Sequence, residues 1–288
     1  MEPTSILKAI KHCLPKKSGS PIPLHHASFC GKEWEYDKKC LDTGWVSSVG
    51  KYVDELEDPL QAIELAKRQK NFERFFFAST SEVYAGSLKH MAIQIPTSEN
   101  VPLALTDLEH PRTSYMLSKI YGEAMCHHSN LPFTIVRPHN IYGPRMGMAH
   151  VLPELIMKAR SLPQGAGFEV ASVDHRRAFC FIDDAVEILR CLASNPKASG
   201  GTFNLGNQEQ ETSIGEVAHI VLEATGRTDL QVVPLPETPG SPARRCPDMA
   251  RTINLIGCRP MLGLKEGIQR TCKWYTDNVF LGGGVSAI

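Results

Sequence analysis

Apolar and polar positions along the chain alternate between short apolar blocks and longer stretches of helical period. Leu60-Gln-Ala-Ile-Glu-Leu-Ala-Lys-Arg-Gln-Lys70 places Leu60, Ile63 and Leu65 or Ala66 on one face and predicts a helix. Arg74-Phe-Phe-Phe-Ala-Ser-Thr80 is an apolar run ending in hydroxyls, the pattern of a buried strand whose C-terminal end presents small polar groups. Residues 85–110 are rich in proline and polar groups without a period, and read as a long loop. Arg112 to Ser129 predicts a second helix, with Leu117, Ile120 or Tyr121, and Ala124 on its apolar face, and Phe133-Thr-Ile-Val136 the next strand. Beyond it the pattern predicts a helix from Val151 to Arg160 and strands at Phe168–Val170 and Phe179–Ile182. A helix from Ala185 to Ala193 follows, with Asp183-Asp184 as its cap, and then a strand at Thr202–Leu205. Ser213-Ile-Gly-Glu216 is a capping box opening a helix to Thr225. A strand at Gln231–Pro234 and a last helix from Lys265 to Asn278, with Ile268, Cys272 and Tyr275 inward, complete the series. Strands alternating with helices predict an α/β fold with a parallel sheet. Ahead of all this, Ile6, Leu7 and Ile10 suggest a short helix, followed by a Lys-Ser-Gly-Ser-Pro linker ending near residue 21.

Composition narrows the class. At 288 residues the chain holds one large or two modest domains, and 42% apolar with 22% charged residues suits a globular protein in water. The zero net charge gives no electrostatic case for nucleic acid or an anionic membrane. No apolar run approaches the length of a transmembrane helix, and Met1 to Lys17 lacks the apolar core of a signal peptide. Nine cysteines, odd in number and scattered without a Cys-x-x-Cys, argue against both a disulfide framework and a zinc site, and make a reducing cytoplasm the expected location. The adjacent pairs His25-His26 and His127-His128 point in different directions on a helix or strand, so no metal site is expected from them.

The candidate chemistry centres on Tyr115 and Lys119. At i and i+4 of a helix they stack on one face, a turn apart. A phenol is a poor base at neutral pH, but a cation one turn away favours the phenolate and turns the pair into a proton-transfer device. In an open parallel sheet ligands bind beyond the carboxyl ends of the strands, so Thr80 at a strand end and Tyr115 on the following helix are expected to meet at one site.

Four motifs then occur in order: Ala78-Ser-Thr-Ser-Glu-Val-Tyr84, Tyr115-x-x-x-Lys119, Arg137-Pro-His-Asn-Ile-Tyr-Gly-Pro-Arg145 and Arg177-Ala-Phe-x-Phe-Ile-Asp-Asp184. Together they resemble the extended short-chain dehydrogenase/reductase family of NAD-dependent nucleotide-sugar epimerases, dehydratases and decarboxylases, over residues of about 58 to 280. The resemblance implies an incomplete Rossmann-type doubly wound parallel sheet with a smaller C-terminal substrate-binding α/β lobe. It divides the chain into an N-terminal segment, 1–57, and an epimerase/dehydratase domain, 58–288, truncated at its start. Within the first segment, Ile22-Pro-Leu-His-His-Ala-Ser-Phe and Cys40 to Asp54 are similar to the opening of the pyridoxal-phosphate-dependent sugar aminotransferases. The parts that would carry the Schiff-base lysine are not found, so no pyridoxal phosphate chemistry is expected.

By this resemblance the reaction passes through a 4-keto sugar. Tyr115 takes the C4 hydroxyl proton, Lys119 lowers the tyrosine pKa and holds the nicotinamide ribose, and Thr80 hydrogen-bonds the same hydroxyl. Glu82 is either a C5 base or an orienting group. Ser79 and Pro138 join Tyr115 and Lys119 as cofactor-binding residues, while Thr80, Asn140, Arg177 and Arg245 bind substrate. Asn140 is assigned to the sugar or its phosphate and the two arginines to the diphosphate, whose oxygens match a guanidinium fork. Arg176 and Arg244 stand immediately beside them, so each assignment is open by one position. Ser81 replaces the aspartate of the dTDP-glucose dehydratases, which turns the resemblance toward UDP-glucuronate decarboxylases and some epimerases. The expected cofactor is NAD with an incomplete site, because neither Gly-x-x-Gly-x-x-Gly nor Gly-x-Gly-x-x-Gly occurs in the chain. The expected function is therefore a UDP- or dTDP-hexose epimerase/dehydratase, weakened by the lack of that loop, with a UDP-glucuronate decarboxylase as the alternative within the class. A non-catalytic remnant that binds nucleotide sugar or pairs with an intact homologue is the alternative outside it. A homodimer through the tyrosine-bearing helix is implied as well.

Overall fold

The computed structural model describes residues 59–280, except 70, 71, 106, 107, 111 and 239, with the backbone alone at 59–61. The helix expected before residue 21, the stretch similar to aminotransferases and the 57/58 boundary lie outside the described residues. Helix α1 (Pro59–Lys67) opens on a proline, which fits a first turn because the missing N–H has no helical partner there. It buries Ile63 and Ala66 and leaves Leu65 exposed. Strand β1 (Phe75–Ala78) follows, then a 3-10 turn (Ser81–Tyr84) and helix α2 (Ala85–His90). This short helix falls where sequence pattern predicted only loop, since six residues are too few to show a period. Ser87 Oγ ties it to the following loop, donating to the Pro102 carbonyl at 2.5 Å and accepting from the Ala104 N–H at 3.1 Å.

Helix α3 (Thr113–His128) departs from expectation in its buried face. Met116, Gly122, Glu123 and Cys126 are buried, while Leu117 and Tyr121 are 44% and 50% exposed. A charged residue turned inward inverts an orientation judged from apolar positions alone. After α3 come β2 (Phe133–Pro138), β3 (Ile141–Tyr142), α4 (Val151–Ser161), β4 (Gly167–Ala171), β5 (Arg176–Ala178) and β6 (Cys180–Phe181). Helix α5 (Ile182–Ser194) starts directly after β6, and Asp183-Asp184 do not cap it. Instead the Asp184 carboxylate accepts the backbone N–H groups of Met261 and Leu262 at 3.1 and 3.0 Å, pinning a distant loop. Then come β7 (Gly201–Leu205), β8 (Glu211–Ser213) and α6 (Ile214–Thr225), which carries the expected capping box in both directions and ends at Gly226 with φ 70°. Strand β9 (Gln231–Leu235), strand β10 (Arg244–Arg245), helix α7 (Ala250–Ile256) and helix α8 (Leu264–Tyr275) follow, and a π-helical turn (Thr276–Phe280) ends the described residues.

The central sheet has the order β1-β2-β7, all parallel, with Phe75 opposite Phe133 and Thr134 opposite Gly201. Successive residues of β2 face opposite ways. Ile135 joins Ile63, Cys126 and Phe133 under α1 and α3. Val136 joins Ile188, Leu192, Phe203, Leu205 and Met249 under α5 and α7. Helices thus cover both faces, the doubly wound arrangement of an α/β sheet. A third core, around Leu152, Ile156, Phe168, Val217, Val221, Ile268 and Tyr275, is built by α4, α6 and α8 with the pair β4-β9. Each fully buried aliphatic side chain there contributes about 1.5–3 kcal/mol. Strand β5 pairs in parallel with β10 and antiparallel with β8, forming a small sheet that holds two arginine pairs. Cys191 and Cys258, 67 positions apart in the chain, are joined where α5 and α7 pack together, a single pair that the scattered spacing did not reveal.

Candidate active site

The carboxyl ends of β1, β2 and β7 lie on one edge of the sheet, since the three strands are parallel. Helix α3 packs against β1, β2 and the Ser81–Tyr84 turn. On its face toward β1, the Lys119 ammonium lies 5.5 Å from the centre of the Tyr115 ring and 5.7 Å from that of Phe77. The i, i+4 spacing therefore brings phenol and ammonium together beside the strand end, and both residues remain partly exposed. Thr80 caps the turn after β1, its Oγ1 accepting the Glu82 N–H at 3.2 Å. Ser79 faces the interior, and its hydroxyl donates to Glu123 Oε1 at 2.5 Å.

A cluster of arginines closes around Glu82. Arg245 donates to both oxygens of the Glu82 carboxylate at 2.6 and 3.1 Å, and Arg112 reaches it at 3.5 Å. Burial would raise the Glu82 carboxyl, but Arg245, with Arg112 and Arg177 adding, holds it below the usual range. Arg177 donates to Ser241 Oγ at 2.8 Å and to the Ala243 carbonyl at 3.2 Å. Burial first, and the neighbouring Arg245 cation second, lower it to about 10. The Nε of Arg245 is buried and has no hydrogen-bond partner. Arg176 and Arg244 point the other way and share Glu211, at 3.7 and 2.6 Å.

Behind the strand ends lies a buried polar network that sequence reasoning missed. Arg137 Nε donates to Glu123 Oε1 at 2.8 Å, and a terminal nitrogen of the same fork to Oε2 at 2.5 Å. The other terminal nitrogen donates to Tyr84 Oη at 2.8 Å and to the Glu99 carbonyl at 3.0 Å. Tyr84 donates to Asn204 Oδ1 at 2.9 Å, and the Asn204 N–H bonds Glu99 Oε1 at 2.8 Å. Burial pushes the Tyr84 phenol up to about 12 even with Arg137 beside it, so it stays a neutral donor. Burial holds His139, 3.2 Å from Asn204, at about 3, a neutral ring. The signal was present: Glu123 stands four positions beyond Lys119 and eight beyond Tyr115, on the same helix face. Asn140 adopts φ 41°, a left-handed backbone that asparagine tolerates, and its amide donates to the Ala178 carbonyl at 3.3 Å. Pro138 ends β2 opposite Leu205. The structure thus gathers Tyr115 with Lys119, and Glu82 with Arg245, Arg177 and Arg112. It holds Ser79 and Asn140 by other partners.

The family model of the NAD dependent epimerase/dehydratase family matches residues 44–206, more than half of the chain. The chain belongs to this family. It is 29% identical over 229 residues to UDP-glucuronic acid decarboxylase 4 of Arabidopsis thaliana, covering 77% of this chain and 48% of that protein. To UDP-glucuronic acid decarboxylase 1 of Xenopus tropicalis it is 31% identical over 223 residues, covering 75% and 49%. It spans about half the length of these curated relatives. The solved UDP-glucuronic acid 4-epimerase of Bacillus cereus, in complex with UDP-glucuronic acid and NAD, shares the fold with a TM-score of 0.61 at 21% identity, covering 76% of this chain and 66% of that one. The family is NAD dependent, and α3 presents an ammonium and a phenol side by side at the sheet's carboxyl edge. Neither glycine fingerprint that receives a pyrophosphate, Gly-x-x-Gly-x-x-Gly or Gly-x-Gly-x-x-Gly, occurs in the given sequence.

Proposed function

We propose that this chain acts on a nucleotide sugar as an epimerase/dehydratase that oxidises the sugar at C4. The observation that carries this reading is the Lys119 ammonium 5.5 Å from the Tyr115 ring, on a helix face at the carboxyl edge of the sheet. NAD, when bound, supplies the hydride acceptor, and Tyr115, Lys119, Ser79 and Pro138 are the residues proposed to hold its nicotinamide end. Tyr115 takes the C4 hydroxyl proton. Lys119 favours the phenolate by its charge. Thr80, at the end of β1, hydrogen-bonds the same oxygen. Arg177 and Arg245 bind the diphosphate, and Asn140 binds the sugar or its phosphate. Three guanidinium groups around one carboxylate leave that corner net positive, which supports an anionic ligand. Glu82 then orients Arg245, since a carboxylate gripped by a guanidinium is a weak base. The exposed Leu117 and Tyr121 on α3 support a homodimer through that helix. The absence of a membrane-crossing helix among the described residues is in keeping with a cytoplasmic location.

Within the enzyme class, the decarboxylase names of the matched relatives and Ser81 in place of an acid favour loss of carbon dioxide as the fate of the keto sugar. The alternative outside the enzyme class is a non-catalytic role, binding nucleotide sugar or pairing with an intact homologue. One experiment separates these readings. The protein is mixed with NAD and a panel of UDP-sugars, including UDP-glucuronate, and followed by absorbance of the reduced nicotinamide and by product chromatography, beside a Tyr115→Phe control. Turnover lost in the control supports the enzyme. Equal signals from both proteins end the catalytic reading, and separate titrations with NAD and UDP then show which half of the site remains.

A further inference from the structure

Cys191, near the end of α5, and Cys258, which follows the left-handed Gly257 closing α7, bring their sulfur atoms together. Both are partly exposed. The other described cysteines are buried, and burial pushes their thiols up, to about 12 for Cys126, Cys180 and Cys272 and to about 11 for Cys246. Thiols of that kind are inert at neutral pH. Beside the surface pair, Arg190 takes both oxygens of Glu187 at 2.8 and 2.6 Å and lies 3.9 Å from the Cys191 sulfur. Glu187, Cys191 and Cys258 bring one oxygen and two sulfurs within 4.8 Å of one another, a grouping that a soft dication would also suit. A dication would have to displace the guanidinium already neutralising Glu187, whose carboxylate lies 3.5 Å from the Cys191 sulfur. Exchange chemistry needs only the two sulfurs within reach of each other and of solvent, as they are here.

We propose that Cys191 and Cys258 are a redox-responsive dithiol that closes in the presence of a small-molecule disulfide such as oxidised glutathione and reopens in excess of its thiol. One thiolate attacks a sulfur of the small disulfide and releases one small thiolate, leaving a mixed disulfide on the protein. The second cysteine thiolate then attacks the protein sulfur of that mixed bond and releases the other small thiolate. Two cysteine thiols lose two protons and two electrons, and one small disulfide becomes two thiols. Beside the pair, Ile188 and Leu192 of α5 meet Met249 and Ile253 in a common apolar core that holds α5 and α7 together by contacts other than the bridge. Closure fastens the far end of a segment whose near end is Arg245. That segment is also held at Cys246 and Asp248 by backbone bonds to Thr97 at 2.8 and 2.9 Å.

The full chain is equilibrated in glutathione buffers of graded oxidised-to-reduced ratio, acid-quenched, alkylated and mapped by peptide mass spectrometry, with melting temperature measured in parallel and metal content measured on protein as purified. A linked peptide pair carrying Cys191 and Cys258 is expected to grow with the oxidised fraction and to raise the melting temperature by several degrees. Cys258→Ser is expected to lose both effects and to leave Cys191 as a mixed disulfide with glutathione. Absence of the linked pair at every ratio in the unaltered chain overturns the proposal. So does preferential pairing of either residue with another cysteine, or stoichiometric zinc that disappears in Cys191→Ser.

Discussion

Arg177 and Arg245 stand directly opposite each other in the parallel register of β5 and β10, and both side chains are buried on the Glu82 side of that sheet. Arg176 and Arg244, also opposite each other, turn to the other face and share Glu211. The period of two along a strand separates the pairs. Replacing Arg177 or Arg245 by alanine is expected to weaken UDP binding about 10- to 100-fold, the scale of a lost charge-assisted hydrogen bond. Arg176→Ala and Arg244→Ala are expected to leave it within about twofold. Isothermal titration with UDP checks all four, and an equal loss in both pairs refutes the assignment.

Glu123 and Arg137 form a buried pair, 6% exposed on each side, that also carries Ser79 and Tyr84. Glu123→Gln removes one charge and leaves a buried guanidinium uncompensated, at an expected cost of about 3–5 kcal/mol in urea unfolding. The double replacement Glu123→Leu with Arg137→Met is expected to be less destabilised than Glu123→Gln, because neither charge then remains.

His139 makes stability depend on pH. Burial keeps its folded-state ring neutral down to about 3, whereas the unfolded chain takes up the proton near 6.5. A depressed folded-state value means stability is full above the unfolded value and is lost as pH falls, here from about 6.5 toward about 3. By pH of about 4.5 the loss reaches about 2.5 kcal/mol, and His139→Gln is expected to abolish that part of the slope. Glu82, held low by its arginines, loses stability over a more acidic window, while Glu99, raised by burial, gains as pH falls. Urea unfolding of the two proteins at pH of about 7 and 4.5 isolates the histidine contribution.

Gly267 sits inside α8, where helix preference alone would reward alanine by about 1 kcal/mol. A methyl group there would fall 2.9 Å from Tyr142 Cζ and 3.0 Å from the Phe181 ring, both in the third core. Overpacking costs about 1–3 kcal/mol, so Gly267→Ala is expected to destabilise the protein by about 1–2 kcal/mol. A gain in the urea midpoint would show that Tyr142 has room to move.

Much of the fold was legible from pattern. Phe75–Ala78, Phe133–Pro138 and Gly201–Leu205 are the strands that apolar runs marked, and Ser213 with Glu216 caps α6 as their spacing required. The two-residue strands Ile141–Tyr142 and Arg244–Arg245 were not legible, because a strand so short has no alternation to detect. The buried face of α3 was misread because Glu123 looks like a solvent residue until Arg137 is placed beside it.

From the chain alone came most of the longer helices and strands and the stacking of Tyr115 with Lys119, since helix and strand periods are set by backbone geometry over a few residues. Tertiary structure decided which arginine of each pair meets Glu82, across 163 residues in the case of Arg245. It also decided that Glu123 faces inward and that Cys191 finds Cys258. A buried charge is stable only with its partner in place, and a thiol pairs only with a sulfur within reach. Both conditions depend on contacts between segments far apart in the chain, which no local period records.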